Sequence, residues 1–324
     1  MIKFDRPEIQ ALPLFVQKRV INTSEAVCNS ECSNISLPSA VDILRLDQIH
    51  PLVSGNKWYK LKYNLEAASK LGHKRLLSCG GPHSNHLHAL ASAGNVLGFT
   101  TTAFVRGYSH LPLTETLLEC ERMGMTLIFV DKKTYLNRYD SSWCQQQAKD
   151  LNSYWIPEGG NNGLGIKGCA EIAEQCSGYD EVWMSIGSGC TFTGIARAFA
   201  DDQTKNIQLN NKHLKPIHLK GIMAIKGGEV LAASLLSELG DECTIDCDSH
   251  LGGFGRCSEE LIQLIRRYDS ESLPLDPVYT GKLVMAFEQY LHAGKLDLNK
   301  RYLLIHSGGL QGRRGVKALS ANLP

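Results

Sequence analysis

Apolar and polar positions alternate along the chain in a pattern that predicts strands and helices in turn from residue 75 onward. Short apolar runs predict strands, whereas apolar residues three or four positions apart predict helices. The predicted strands are 75–79, 101–105, 126–130, 181–186, 217–225 and 302–306, and the predicted helices of the first half are 84–97, 114–123 and 135–151. Such alternation is typical of parallel sheets covered by helices, so the pattern predicts an α/β fold.

A further helix is predicted just after the turn that contains Pro51 and Gly55. Its apolar positions have the spacing of one buried stripe: Trp58, Leu61, Leu65 and Ala68. Lys57 therefore lies at a helix start on a segment that the core holds. A helix N-terminus disfavours a second cation and lowers the pKa of a lysine. Because only the neutral amine attacks a carbonyl, Lys57 is a candidate for imine formation, and a solvated lysine near a cap is the alternative.

The periodicity is interrupted between residues 156 and 168, where Pro157 and five glycines occur. A chain of 324 residues exceeds the usual size of a single core. We therefore expect two domains or one large α/β unit, with the joint in this segment.

Composition and charge narrow the possible classes of partner. Apolar residues make up 43% of the chain and the net charge is +1, which offers no electrostatic basis for binding nucleic acid or a membrane surface. No apolar run approaches the length of a membrane span, and residues 1–7 lack the apolar core of a signal peptide. The eleven cysteines are therefore expected to be reduced thiols of a cytoplasmic protein.

Two groups of cysteines require an alternative interpretation. Cys243, Cys247 and Cys257, with His250 between them, could form a zinc site, but the first gap is looser than a paired-cysteine motif and the segment has the composition of a loop. Cys28 and Cys32 lie in the polar stretch 22–40, which we expect to be a flexible insertion with exposed thiols.

In open α/β sheets ligands bind in the turns that follow strands, and the first such turn is residues 80–86, Gly-Gly-Pro-His-Ser-Asn-His. Ser84 and Asn85 fall at the start of the next helix, where they could cap backbone N–H groups. Alternatively, those N–H groups bind a substrate carboxylate while the serine hydroxyl faces the same space. A metal site built on His83, His86 and His88 is a weaker alternative, because no carboxylate is close in sequence.

The second turn is residues 186–194, where small and hydroxyl residues let the backbone approach an anion closely. It is not a dinucleotide fingerprint, because Phe192 occupies the third glycine position. It is not a Walker loop either, because no lysine precedes Thr191. A site for a single phosphate fits best, and a merely tight turn is the alternative.

Two further segments add polar side chains. Residues 306–309, His-Ser-Gly-Gly, place Ser307 after another strand, and Tyr279 lies in a loop that leads into a helix. A core tyrosine with a bonded hydroxyl is the alternative for the latter. A lysine able to form an imine, together with a cradle for one phosphate, is what pyridoxal phosphate requires.

With these motifs together, the chain resembles the 1-aminocyclopropane-1-carboxylate deaminase and D-cysteine desulfhydrase family. Five motifs carry the resemblance in the family's order over about residues 42–316: 55–57, 80–86, 188–191, 276–282 and 306–309. It implies a tryptophan synthase β-like (fold type II) architecture of two parallel-sheet domains, with pyridoxal 5'-phosphate in the cleft between them. The large domain is expected at 1–59 and 158–324, and the small inserted domain at 60–157.

The resemblance also implies the roles of individual residues. Lys57 would bind the cofactor covalently, and Asn85 would hydrogen-bond its ring hydroxyl oxygen. Thr280 or Ser307 would lie near the pyridine nitrogen. The remaining implied roles are the phosphate site, from Ser188, Gly189, Cys190, Thr191 and Gly194; the catalytic groups Lys57, Ser84 and Tyr279; and the substrate contacts Ser84, Asn85 and His86. No metal is expected, and the partners are a small amino-acid substrate and a second copy of the chain in a homodimer.

The two branches of the family differ at positions where this chain can be compared with each of them. Deaminases resemble Ser-Asn-Gln in the first turn and carry Glu after the tyrosine, whereas desulfhydrases resemble Ser-Asn-His and carry Thr. His86 and Thr280 are on the desulfhydrase side. Phe254 departs from the tyrosine usual in a Gly-Tyr-Gly motif, and Leu87-His88 replaces Thr-Arg. The change at Phe254 predicts a slow or altered reaction on D-cysteine itself.

The leading hypothesis is therefore a lyase that releases pyruvate, sulfide and ammonia from a D-amino acid such as D-cysteine. A cyclopropane-ring-opening deaminase on the same scaffold is the second hypothesis. A non-catalytic cofactor-binding protein is the third, although the presence of Lys57, Ser84 and Tyr279 argues against it. A metal hydrolase built on the histidines is the fourth.

Overall fold

The computed structural model describes residues 7–14, 37–51, 53–208 and 216–320. The described strands are β1 (Glu8–Ala11), β2 (Ala40–Arg45), β3 (Arg75–Gly80), β4 (Thr100–Arg106), β5 (Thr126–Val130), β6 (Tyr154–Trp155), β7 (Glu181–Ile186), β8 (His218–Met223), β9 (Cys243–Asp246) and β10 (Arg301–His306). The described α-helices are α1 (Asn56–Lys70), α2 (Asn85–Leu97), α3 (Glu115–Arg122), α4 (Lys132–Leu136), α5 (Ser141–Asp150), α6 (Gly163–Ala170), α7 (Cys190–Gln208), α8 (Glu229–Leu239), α9 (Glu259–Ser270) and α10 (Thr280–His292).

These strands form two sheets. One has six strands in the order β1-β2-β10-β7-β8-β9, and the other has four in the order β5-β4-β3-β6. All neighbours are parallel except β1, which runs antiparallel to β2. The predicted α/β architecture of two parallel-sheet units is thus confirmed.

Alternation along the central strands places an apolar core on both faces of each sheet. In β7, Val182 and Met184 pack with α6, α7 and α8, whereas Trp183 between them packs with α9 and α10. In β3, Leu76 packs with α1 and α2, and Leu77 packs with Tyr135 on the opposite face. A strand buried on both faces needs a continuous apolar run, which is why these strands were recognisable in the sequence.

Helix α1 contributes to both units. Tyr59 is buried in the core beside the six-stranded sheet, whereas Leu61 and Leu65 are buried in the core of the four-stranded sheet. The predicted small domain, 60–157, contains every strand of the four-stranded sheet. Its boundaries at 60 and 157 remain a prediction.

Two predicted elements differ from the structure. The helix predicted over 135–151 is divided into α4 and α5, because Asp140 caps a new helix by accepting hydrogen bonds from the N–H groups of Ser142 and Trp143. The glycine-rich joint contains a helix, α6, where only a break in periodicity was predicted.

Helix α6 tolerates its glycines because they lie against neighbouring backbone. A Cβ on Gly168 would lie 1.8 Å from the carbonyl oxygen of Tyr59 in α1, and a Cβ on Gly165 would lie 2.0 Å from that of Gly160. Glycine at 168 therefore allows α6 to approach α1 closely, and glycine at 165 allows α6 to lie against the preceding turn, although glycine lowers helix propensity.

The segment considered for zinc is also partly regular. Cys243 is buried at the start of β9, and across the described ranges no three His, Cys, Asp or Glu side chains come together as metal ligands. Residues 22–36 of the predicted insertion, with Cys28 and Cys32, lie outside the described residues. Within the described ranges, no helix combines the length and apolar character that crossing a bilayer requires.

Replacing Gly168 by alanine tests the contact between α1 and α6. We expect Gly168→Ala to lower the free energy of unfolding by about 1–3 kcal/mol, because the new methyl group overlaps backbone atoms that cannot move independently. The matched control is Gly163→Ala in the same helix, where a Cβ would meet no atom within 4 Å. Denaturant unfolding with cofactor at saturation measures both variants, and equal stability of the two would contradict the packing role.

Candidate active site

The turns that follow the strands of both sheets open onto one cleft with a volume of about 1170 Å³. Nine of the predicted site residues line it: Lys57, Ser84, Asn85, His86, Ser188, Gly189, Thr191, Tyr279 and Ser307. The predicted residues Cys190, Gly194 and Thr280 do not line it. Residues more than 200 positions apart in sequence thus meet at the carboxyl edges of the strands, as expected for open parallel sheets.

The start of α1 is fixed by the third turn of the site, residues 306–309, which follows β10. Gly55 has a φ of +71°, and a Cβ there would lie 2.1 Å from the carbonyl oxygen of Ser307. That oxygen accepts a hydrogen bond of 3.1 Å from the backbone N–H of Asn56, the first residue of the helix. Glycine is required at 55 both for its conformation and for the close contact. Lys57 is therefore held directly beside the end of β10.

The Lys57 amine occupies a buried position in the cleft. Its Nζ donates a hydrogen bond of 2.8 Å to Oδ1 of Asn56. Burial, the larger cause, and the nearby charge of Lys60 together lower the pKa of Lys57 to about 7. Burial disfavours the charged amine, so a substantial fraction is neutral at pH 7. The sequence predicted this direction from the helix terminus; burial and Lys60 provide additional causes.

The loop between β7 and α7 has the properties of an anion site. Gly189 has a φ of +82°, and the first-turn N–H groups of α7 have no partner within the helix. Nζ of the buried Lys60 lies 3.4 Å from Oγ of Ser188 and brings a positive charge to the loop. Oγ1 of Thr191 accepts a hydrogen bond of 3.1 Å from Nδ2 of Asn56. A helix N-terminus with an adjacent cation suits a phosphate.

Two predicted members of this loop face elsewhere. The thiol of Cys190 points to the carbonyl oxygen of Gly160, at 3.6 Å, on the side away from the cleft. Gly194 lies in α7 where the helix crosses α6, and a Cβ there would lie 2.6 Å from the carbonyl oxygen of Ile166. Gly194 thus serves helix packing, and any contact of Cys190 with a phosphate would come from its backbone.

The first turn presents polar groups from the N-terminus of α2. Ser84 caps the helix, with its Oγ accepting a hydrogen bond of 3.2 Å from the N–H of Leu87. The side-chain oxygen of Asn85 is buried, yet it has no hydrogen-bond partner among the described residues. A buried acceptor without a partner is costly, and a bound group that donates to it would remove the cost.

His86 is held in one orientation by the strand below it. The Oγ of buried Ser78 donates a hydrogen bond of 2.7 Å to the carbonyl oxygen of Ile156 and lies 2.8 Å from Nε2 of His86. Because the serine proton is used on the carbonyl, Nε2 must be the donor in the second contact. Nδ1 of His86 is then an unprotonated acceptor, and it is buried without a partner.

The charge state of His86 follows from the same surroundings. Burial lowers the pKa of His86 to about 3, and the charges of Lys57 and Lys60 act in the same direction. His86 is therefore neutral throughout the physiological range. It can accept a hydrogen bond in the cleft, but it cannot supply a proton at neutral pH.

The other histidines of the first turn do not join it. His88 bonds through Nε2 to Oε2 of Glu119 at 2.8 Å, and Arg314 also contacts that carboxylate. His83 is exposed at the edge of the cleft. The three histidines thus face different surroundings rather than a common metal position.

Tyr279 is positioned by a carboxylate that the sequence analysis did not single out. The buried Asp276 accepts hydrogen bonds of 2.7–2.9 Å from the backbone N–H groups of residues 278, 279 and 280. The carbonyl oxygen of Tyr279 also accepts a hydrogen bond of 2.7 Å from Oγ of Ser185. Burial raises the pKa of the Tyr279 phenol well above its ordinary value, helped by Asp276 and Glu158. The phenol therefore stays protonated and is a hydrogen-bond donor in the cleft.

Thr280 faces away from the cleft. Nε2 of His306 lies 2.8 Å from the carbonyl oxygen of Pro274, so Nε2 carries the proton and Nδ1 is an acceptor. Oγ1 of Thr280, at 3.3 Å, therefore donates to Nδ1 of His306. Of the two residues considered for the pyridine nitrogen, Ser307 lines the cleft and Thr280 does not.

Four polar residues complete the arrangement without having been predicted as members: Asn56, Lys60, Ser78 and Asp276. Asp276 is followed by Pro277, and an Asp-Pro pair is a recognisable turn signal. Ser78 lies among apolar residues in a buried strand, so its hydroxyl also needs a hydrogen-bond partner. Asn56 and Lys60 gain their roles from contacts with residues more than 100 positions away.

The residues present fit a group that carries both an aldehyde and a phosphate. Lys57 offers a partly neutral amine, and the loop that contains Ser188 and Gly189 offers an anion site backed by Lys60. Asn85, whose side-chain oxygen is buried without a partner among the described residues, lines the same cleft. These are the requirements of pyridoxal phosphate.

Known proteins similar to this chain include two related types. A putative 1-aminocyclopropane-1-carboxylate deaminase of Pyrococcus horikoshii is 27% identical over 312 residues, which cover 89% of this chain and 91% of the relative. A D-cysteine desulfhydrase of Klebsiella pneumoniae is 26% identical over 283 residues, which cover 82% and 86% of the two chains.

Solved structures share the architecture over nearly the whole chain. A crystal structure described as an ACC deaminase homologue matches with a TM-score of 0.70 at 25% identity, covering 98% of this chain and 94% of that one. An O-ureido-L-serine synthase matches with a TM-score of 0.63 at 13% identity over 97% and 92%, which shows the fold alone. Residues 39–308 match the family described as pyridoxal-phosphate dependent enzyme. The chain therefore belongs to the family of pyridoxal-phosphate dependent enzymes.

Proposed function

We propose that the protein is a lyase that removes a leaving group from the β-carbon of a D-amino acid such as D-cysteine. With D-cysteine, one water is consumed and pyruvate, sulfide and ammonia are released. The observation that carries the proposal is the single cleft in which the Lys57 amine, the 188–191 loop and the first turn face one another. The choice of substrate rests on His86 and Thr280, which match the desulfhydrase branch.

When bound, pyridoxal phosphate supplies an electron sink for the pair of electrons left on the α-carbon. In the proposed arrangement Lys57 holds the cofactor, and Ser188, Gly189 and Thr191 hold its phosphate with help from Lys60. Asn85 contacts the ring. Ser307 would lie near the ring nitrogen, because it lines the cleft, whereas the hydroxyl of Thr280 donates a hydrogen bond to His306. A hydroxyl there leaves the nitrogen less protonated than a carboxylate would, which suits a β-elimination.

Proton transfer is assigned by the charge states of the side chains. The Lys57 amine, with a pKa of about 7, can accept the proton from the α-carbon near neutral pH. Tyr279 keeps its proton because of burial, and we assign it the transfer of a proton to the departing sulfur. Ser84 and the Nδ1 acceptor of His86 bind and orient the substrate. His86 has no acid role, since it is neutral and lacks a proton on Nδ1.

A second candidate is the opening of the ring of 1-aminocyclopropane-1-carboxylate to 2-oxobutyrate and ammonia. The similarity to a putative deaminase at 27% identity favours it. The first turn disfavours this reaction, because His86 occupies the position where the deaminase branch has glutamine.

Covalent labelling tests the role of Lys57. The purified protein should be yellow, and borohydride should fix the cofactor to the peptide that contains residue 57. Because the pKa of Lys57 is lowered to about 7, coupling of added cofactor to the cofactor-free protein should rise with pH to a midpoint near 7. Lys57→Arg should give no covalent adduct. A label on Lys60 or Lys62, or a midpoint near 10, would contradict the assignment.

A substrate comparison tests the proposed reaction. D-cysteine should be turned over faster than 1-aminocyclopropane-1-carboxylate, with L-cysteine as the control for handedness. Pyruvate, sulfide and 2-oxobutyrate are measured in parallel with the same enzyme preparation. Preferential release of 2-oxobutyrate would favour the second candidate instead.

Tyr279→Phe should keep the yellow colour and lose on the order of a hundredfold in turnover, because a positioned proton donor is removed.

Replacing Ser78 tests how His86 is held. Ser78→Ala removes the acceptor of Nε2–H, so the neutral ring should populate both tautomers, and turnover should fall on the order of tenfold or more. Ser78→Thr keeps the hydroxyl and should restore both properties. Nitrogen-15 NMR of labelled histidine reports the tautomer without any turnover. A proton on Nδ1 in the native protein, or an unchanged tautomer in Ser78→Ala, would refute the role.

A further inference from the structure

Cationic side chains outnumber carboxylates along the cleft. Five cationic side chains line it: Lys57, Lys60, Arg106, Arg138 and Arg256. Among the lining residues that the structure describes, Glu158 is the only carboxylate. It is paired with Arg138, whose Nε lies 2.6 Å from its Oε2. The cleft therefore has a surplus of positive charge before any ligand enters.

The two lysines are accounted for by the cofactor site, but Arg106 and Arg256 are not. Neither guanidinium has a hydrogen bond or an ion pair within the part of the chain that is described. Arg106 ends β4, next to the strand that leads into the first turn. Its Nη2 lies 3.8 Å from the position that a Cβ would take on Gly81. An unpaired guanidinium thus stands beside the turn proposed to bind the substrate.

The surroundings of Arg106 leave its hydrogen-bonding edge available. Its Cζ lies 5.9 Å from the centre of the Tyr135 ring, at the outer limit of a cation–π contact. The phenol of Tyr135 donates to Glu158 at 2.6 Å, so that carboxylate is bonded to both Tyr135 and Arg138. Each oxygen of Glu158 therefore already has a partner, and neither partner is Arg106, whose N–H donors remain available for a ligand.

Arg256 comes from a loop that a buried lysine anchors. Nζ of Lys282 donates to the carbonyl oxygens of His250 at 2.9 Å and Gly253 at 2.6 Å. Two residues before Arg256, the ring of Phe254 lies edge-on to Tyr279 with centroids 6.0 Å apart. The loop is thus tethered at its base; Phe254 contacts the proposed proton donor, and Arg256 also lines the cleft.

The volume of the cleft also exceeds what a three-carbon amino acid needs. Pockets for drug-sized ligands measure about 300–1,000 Å³. The cleft, at about 1170 Å³, lies above that range, so space remains beside the cofactor and a cysteine-sized substrate. The unpaired arginines border this space.

We propose that the substrate carries a second anionic group, beyond its α-carboxylate, on the part of the side chain that leaves. Arg106 would bind this carboxylate, sulfonate or phosphate through its paired N–H groups, and Arg256 would add attraction from the opposite wall. A guanidinium matches the geometry of such planar or tetrahedral anions and binds them more strongly than a neutral donor does. The proposal rests on the proposed β-elimination and narrows its substrate class.

A pair of substrates that differ in one charge tests the proposal. S-carboxymethyl-D-cysteine and S-carbamoylmethyl-D-cysteine have nearly the same size, and each yields pyruvate, ammonia and a thiol with one water consumed. The native enzyme should show a kcat/KM at least tenfold higher for the carboxymethyl compound. Arg106→Gln should reduce that ratio to about one, and Arg106→Lys should keep part of it. Arg122→Gln, an exposed change on α3 outside the cleft, should leave the ratio unchanged.

Equilibrium binding to the holoenzyme separates this inference from the proposed reaction. If neither compound is turned over, but the carboxymethyl compound binds more tightly and Arg106→Gln cancels the difference, the subsite stands and the proposed β-elimination fails. O-phospho-D-serine and S-(2-sulfoethyl)-D-cysteine in the same series show which anion is preferred. Equal binding and turnover of the charged and neutral compounds by the native enzyme would overturn the subsite, as would an unchanged ratio in Arg106→Gln.

Discussion

The active site depends on Asn56, because this one buried residue joins its three separate parts. Its backbone N–H donates to Ser307 in the third turn, and its Nδ2 donates to Thr191 in the 188–191 loop. Its Oδ1 accepts from Nζ of Lys57. Because the nitrogen and the oxygen of the amide each have a defined partner, the side chain has one orientation. The lysine and the anion site are consequently held at a fixed separation by segments from residues 55, 191 and 307.

Burial determines the charge states of the site as much as individual neighbours do. It lowers the pKa values of Lys57 and His86 and raises that of Tyr279, so each of the three shifts toward its neutral form near pH 7. Of the three, Lys57 has a pKa near 7, so it can exchange a proton with a substrate at low cost. The remaining positive charge belongs to Lys60 and the arginines at the rim, where anionic groups of the ligands are expected.

The sequence predicted the turns correctly, since their properties are local. A strand, a cluster of glycines and a capping residue follow one another within ten positions at Gly80 and again at Gly187. Side-chain direction is not local in the same way. Cys190 and Thr280 stand within recognised motifs, yet their directions are set by Gly160 and His306 from other elements, and Gly194 packs against the backbone of Ile166. The same limit explains why α6 was missed, because Gly168 is explained only by the backbone of α1 and Gly165 by that of Gly160.

The two sides of the cleft come from different cores, and this arrangement separates cofactor binding from substrate choice. The loop at Ser188 and the start of α1 pack with the six-stranded sheet, whereas α2, which carries Ser84, packs with the four-stranded sheet. Substitutions in the first turn or near Arg106 can therefore change the substrate without disturbing Lys57 or the anion site. One scaffold can then support several reactions, as the differently named relatives of similar fold indicate. Specificity in this protein should accordingly be sought on the α2 and β4 side of the cleft, and on the loop of Phe254 that faces it.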